Sequence, residues 1–128
     1  MKHHVLVLDD EADVRAAIRL QLKGTRFEIL EAESAQQAME LLSDNAITVD
    51  VIICDVRMPG VSGVEAVQQF QREYPTTPVI VLTGFPDVAL AVDFMKKQDV
   101  VDYLTKPVEK DKLVATVENA AQRRKMFE

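Results

Sequence analysis

The sequence has a single cysteine, Cys54, so no disulfide forms within the chain. Cys54 falls inside an apolar run and reads as a small buried hydrophobe. No apolar run approaches the roughly 20 residues that a membrane-spanning helix needs. The opening residues, Met1 to Val5, carry no apolar signal region, and a cytoplasmic location is the expectation. An excess of basic charge is also lacking: 15 Lys and Arg stand against 21 Asp and Glu, and the net charge of −6 argues against direct nucleic-acid binding. Internal repeats and low-complexity segments are absent. What remains is 128 residues, 48% hydrophobic and 28% charged, which suits one globular domain over residues 1–128.

Five short apolar runs are each followed by a helical pattern. Val5–Leu8 leads to a helix from Ala12 to about Lys23, with Val14, Ile18 and Leu22 at helical spacing and Gly24 as the stop. Phe27–Ala32 alternates and suits a strand near an edge. Ser34 and Gln37 form a capping-box pattern for a helix that Asn45 ends. Val49–Asp55 is the strongest strand: a nearly continuous apolar run, as for a strand buried on both faces, closing on a carboxylate. A helix follows over Val64–Tyr74, then a strand Val79–Leu82 that finishes on Thr83. A helix from Pro86 to about Gln98, a strand Val101–Leu104 and a last helix from about Lys110 complete the order. Strand–helix alternation predicts a doubly wound α/β fold with a five-stranded parallel sheet, and right-handed crossovers with a single reversal of winding give it the order 2-1-3-4-5. The reversal of winding falls between the first and third strands. Asp9, Asp10 and Asp55 end those strands and face one another across the crevice.

Three carboxylates brought together repel, and a hard divalent cation relieves the repulsion; an all-oxygen site suits Mg²⁺. Thr83 and Lys106 end the fourth and fifth strands at the same rim. A hydroxyl and an ammonium beside a cation-bound carboxylate make a receptor for a tetrahedral oxyanion, and Asp55 is left as the nucleophile of a phosphoryl transfer. Each residue alone has a plainer reading. Asp9, Asp10 and Glu11 suit the cap of a helix N-terminus, Asp55 and Thr83 suit turns, and Lys106 suits a solvated surface. Four strand ends carrying the residue types of one reaction favour the joint reading.

These motifs together resemble the receiver domain of bacterial two-component response regulators. They are Val-Leu-Asp-Asp-Glu from Val7, Asp-Val-Arg-Met-Pro-Gly-Val-Ser-Gly from Asp55, Val-Leu-Thr-Gly from Val81, and Asp-Tyr-Leu-Thr-Lys-Pro from Asp102. The resemblance covers essentially the whole chain and implies the flavodoxin-like receiver fold. It implies that Asp55 accepts a phosphoryl group from the phosphohistidine of a histidine kinase or phosphotransfer protein. Asp10 and Asp55 would hold Mg²⁺ directly, Asp9 through water, and the backbone carbonyl of Arg57 would complete the protein ligands. Thr83 and Lys106 would grip phosphoryl oxygens, the Lys106–Pro107 bond would be cis, and Tyr103 would be the switch aromatic. Such a domain signals and is no enzyme beyond its own phosphorylation and dephosphorylation.

The family usually has a small residue and a glycine before the last strand, where this chain has Gln98-Asp99-Val100-Val101. That departure bears on the switch geometry. Phe85, two residues after Thr83, stands beside the path of a hydrolytic water. Leu90 and Phe94 add a second apolar stripe to the helix after Pro86. They suit either two stray apolar residues, which are common on any surface, or, as the resemblance suggests, a partner or homodimer face shared with the last strand and last helix. The final helix has no stop signal and suits continuation into an effector domain. Its other reading is basic residues that complement the helix dipole. Three other functions compete. A small phosphatase with an aspartyl nucleophile needs an acid where Arg57 stands. A flavin or nucleotide module needs a Gly-rich loop after the first strand, which is lacking. A receiver-like scaffold that is never phosphorylated has no need of the full acidic set.

Overall fold

Parallel pairing of five strands organises the protein, seen in a computed structural model that describes residues 3–44, 46–55, 63–84 and 102–126. The strands are β1 (His3–Leu8), β2 (Phe27–Ala32), β3 (Val49–Asp55), β4 (Val79–Thr83) and β5 (Asp102–Thr105). The described helices are α1 (Ala12–Gln21), α2 (Ala35–Leu42), α3 (Gly63–Glu73) and α4 (Lys110–Met126). The sheet order is β2-β1-β3-β4-β5, as right-handed crossovers with a single reversal of winding predict.

Side chains alternate along the central strands, so one run feeds two cores. Leu6, Leu8, Ile52, Cys54 and Val81 pack with Ala38 of α2 and Ala66, Val67 and Phe70 of α3. Val5, Val7, Val51, Ile53 and Leu82 pack with Ile18 of α1 and Leu113 and Val117 of α4. A strand sandwiched in this way must be apolar on both faces, which is why Val49–Cys54 is nearly continuous rather than alternating. The edge strand β2 keeps Glu28 and Glu31 among its apolar residues. Among the described residues no helix is long and apolar enough to cross a membrane.

Local signals set most element ends. Gly24, at φ 85°, takes the left-handed conformation that closes the turn after α1. The Ser34 side chain accepts a hydrogen bond from the Gln37 backbone N–H (3.1 Å), capping α2. The return half of the box reaches one residue further back than expected. Gln37 Oε1 accepts from the Glu33 N–H (2.8 Å) rather than from Ser34. The first helix ends at Gln21, two residues before the expected Lys23, because Leu22 and Lys23 form its closing turn. β1 starts two residues earlier than Val5, since His3 and His4 pair with Phe27 and Glu28. The Lys106–Pro107 peptide is cis, as the resemblance implies. Arg57, Phe85, the helix expected from Pro86 with Leu90 and Phe94, and the Gln98–Val101 turn lie outside the described residues.

Candidate functional site

β1 and β3 are neighbours, with Leu8 opposite Cys54, so the residues that follow each pair reach the same edge of the sheet. There one oxygen from each of Asp9, Asp10 and Asp55 lies within 4.8 Å of the others. Asp9 and Asp55 are buried and Asp10 is exposed. Such a cluster opens outward through Asp10 and is closed underneath by the sheet.

β4 and β5 bring the remaining residues to this rim. Asp55 pairs with Leu82, and Thr83 with Thr105, which puts Thr83 one step and Lys106 two steps beyond the Asp55 level. The Lys106 N–H donates to the Thr83 carbonyl at 2.7 Å, locking the two strand ends together. Thr83 is fully buried. The Lys106 ammonium then reaches back across the rim, 2.8 Å from Asp9 Oδ2 and 3.3 Å from Asp55 Oδ2. Burial pulls the Lys106 pKa down. The hydrogen bond to Asp9 and the charges of Asp55 and Asp9 outweigh it and hold the amine above its ordinary value. The ammonium, not repulsion alone, therefore sets the electrostatics of the acids.

The plainer reading of the acids as helix caps does not describe them. Glu11 is the N-cap of α1 and makes no side-chain capping bond. Asp9 instead turns its Oδ1 onto the Glu11 N–H at 2.9 Å, fixing the loop that carries the acids. Tyr103 is half-buried and packs against the core layer on the α2 and α3 side. Cys54 is buried as expected, and burial next to Asp55 pushes its thiol pKa far up, so it stays a neutral core residue. His3 and His4 lie at the opposite end of β1. They face Asp50 (3.5 Å) and Glu28 (3.4 Å).

One contributor escaped the sequence reading. Arg15 of α1 donates from Nη1 to the Asp9 carbonyl (2.6 Å) and from Nε to Glu31 of β2 (3.2 Å). Arg19 also pairs with Glu31. An arginine in the first turns of a helix looks like a solvated residue in the sequence. Only the pairing of β1 with β2 shows that Glu31 stands beside it.

Lys106 also borders a cleft of about 370 Å³ between α1 and the segment after β5, lined by Val14, Ala17, Leu82, Pro107 and Val108 among others. Gln21 Nε2 donates to the Val108 carbonyl (3.0 Å) at its floor.

Comparison with known proteins gives one consistent result. Residues 5–118 match the family model described as the response regulator receiver domain. The chain is 34% identical over 119 residues to the transcriptional regulatory protein FixJ of Bradyrhizobium diazoefficiens, covering 93% of this chain and 57% of that protein. It is 34% identical over 116 residues to the DNA-binding transcriptional regulator NtrC of Escherichia coli, covering 91% of this chain and 24% of NtrC. The chain thus spans little more than half, or about a quarter, of these curated relatives. Among solved structures, a response regulator receiver domain protein from Clostridium thermocellum superimposes with a TM-score of 0.88 at 32% identity, over 98% of this chain and 99% of that one.

Proposed function

The chain belongs to the response regulator receiver domain family, a family of phosphorylatable signalling domains, and from that premise we propose that Asp55 is its phosphoryl acceptor. The observation that carries this reading is the meeting of Asp9, Asp10, Asp55 and Lys106 at one rim. The donor is a phosphohistidine on a histidine kinase or phosphotransfer protein. An Asp55 carboxylate oxygen attacks phosphorus in line. The new O–P bond forms as the P–N bond breaks, and the electron pair stays on the imidazole nitrogen. Lys106, already 3.3 Å from Asp55, passes from the carboxylates to an oxygen of the attached phosphoryl group. The buried Thr83 hydroxyl donates to another. Tyr103 follows Thr83 inward and carries the change to the partner surface.

The donor set fits Mg²⁺: three carboxylates, all hard oxygen ligands, converging on a few ångströms with one side open to water. Asp10 and Asp55 would hold the ion directly. Both Asp9 oxygens are already engaged, by the Glu11 N–H and by Lys106, which favours a water-mediated role for Asp9. The Arg57 carbonyl is the remaining expected ligand. Bound there, Mg²⁺ supplies positive charge to the acids and to the phosphoryl oxygens.

The domain acts on itself and on no separate substrate. Its partners are the kinase or phosphotransfer protein and a second copy of the chain, joined through the helix expected after Pro86, β5 and α4. It makes no direct nucleic-acid contact. Intact-protein mass spectrometry after acetyl phosphate treatment tests the reading. The wild type should gain one phosphoryl group with Mg²⁺ present and none after chelation, and Asp55→Asn should gain little or none. Equal gain in the variant would refute Asp55 as acceptor.

A further inference from the structure

The amide that joins Asp9 to Asp10 is the point where β1 stops and the acidic loop begins. Its carbonyl accepts from Arg15 Nη1 at 2.6 Å. The Arg15 side chain is only 14% exposed, low for an arginine, and its Nε is held by Glu31 on the edge strand at 3.2 Å. Asp9 is fixed at three further points, since its N–H donates to the Ala32 carbonyl (3.1 Å), its Oδ1 accepts from the Glu11 N–H and its Oδ2 pairs with Lys106. Rotating the Asp9–Asp10 peptide plane would redirect Asp10, the one exposed acid of the cluster. Arg15 blocks that rotation by clamping the plane to β2.

We propose that Arg15 is a positioning residue for the cation site, presetting the direction in which Asp10 leaves the strand, with Glu31 as its anchor. This rests on the reading of Asp9, Asp10 and Asp55 as that site. A purely electrostatic role predicts the opposite sign. Removing a positive charge beside three acids strengthens cation binding, whereas losing the clamp weakens it. Partners that orient ligands typically govern about tenfold or more in metal affinity. Lysine keeps the charge but lacks the planar fork that bonds carbonyl and carboxylate together.

Mg²⁺ titration of the wild type, Arg15→Met, Arg15→Lys and Glu31→Gln, followed through the backbone amide resonances of residues 9–11, tests the role. Amide exchange of Glu11 in metal-free protein gives a second readout. Arg15→Met should bind Mg²⁺ roughly tenfold more weakly and exchange the Glu11 amide faster. Arg15→Lys should not restore affinity. Glu31→Gln, which loosens the anchor and leaves the arginine in place, should fall in the same direction by a smaller factor. It remains informative if Arg15→Met does not fold. Unchanged or tighter binding in the folded variants, or full rescue by lysine, overturns the positioning role while the site reading stands. A wild type without a Mg²⁺ response overturns both.

Discussion

Lys106 is the residue on which the resting site turns. Before Pro107, in a sequence, it looks like any surface lysine. The topology brings its ammonium between Asp9 and Asp55, where it takes the place a cation would otherwise have to fill. Removing it leaves two buried carboxylates facing each other. Because the amine keeps some contact with water, Lys106→Ala should cost about 1–3 kcal/mol in metal-free protein, less than a fully buried pair would. Urea unfolding with and without Mg²⁺ checks this: the deficit should shrink as the ion is added. Its pKa is raised in the folded state, so the stabilisation is complete below the ordinary value of 10.5. It disappears as pH climbs through the raised value. The meeting of Asp9, Asp10, Asp55, Thr83 and Lys106 at one rim was legible in the sequence because each ends a strand run. The bonds that orient them were not. Arg15, Glu31 and Asp9 come together only through strand pairing, and no local spacing marks them.

At the scale of elements, patterning carried furthest where packing is two-sided. β3 and β4 are buried along nearly their whole length and read as unbroken apolar runs. Boundaries were less legible where a cap is made by backbone rather than side chain, as at Leu22, or where a strand begins on polar residues, as at His3 and His4. Gly24 marks one boundary unambiguously. Gly24→Ala meets no atom within 4 Å, yet forces a side chain into φ 85°. It should lower stability by about 1–2 kcal/mol in denaturant unfolding without altering phosphorylation. The cleft between α1 and the segment after β5 is the apolar surface beside Lys106, and a docking role for it in phosphotransfer can be tested. Ala17→Glu, on its exposed wall, should slow phosphoryl transfer from a phosphorylated donor protein by tenfold or so, the ~1.4 kcal/mol of one apolar contact replaced by a charge. The reaction with acetyl phosphate should be unaffected. An equal effect on both donors would place the role of Ala17 in the site rather than the docking surface.

For the whole molecule, one topological fact governs function: winding reverses between β1 and β3, and the polar ends of both strands meet where it does. The five-strand order followed from alternation, right-handed crossovers and a single reversal of winding between the first and third strands, which is why the meeting of the acids was legible before its geometry. Everything proposed for signalling follows from Asp55 being the acceptor at that reversal. Reduction of the acetyl phosphate-treated protein with borohydride tests this most directly, because it converts an aspartyl phosphate to homoserine, which peptide sequencing by mass spectrometry locates. The account predicts homoserine at position 55 and nowhere else, dependent on Mg²⁺. Homoserine at position 9 or 10, or a retained phosphoryl group that borohydride leaves untouched, would contradict it.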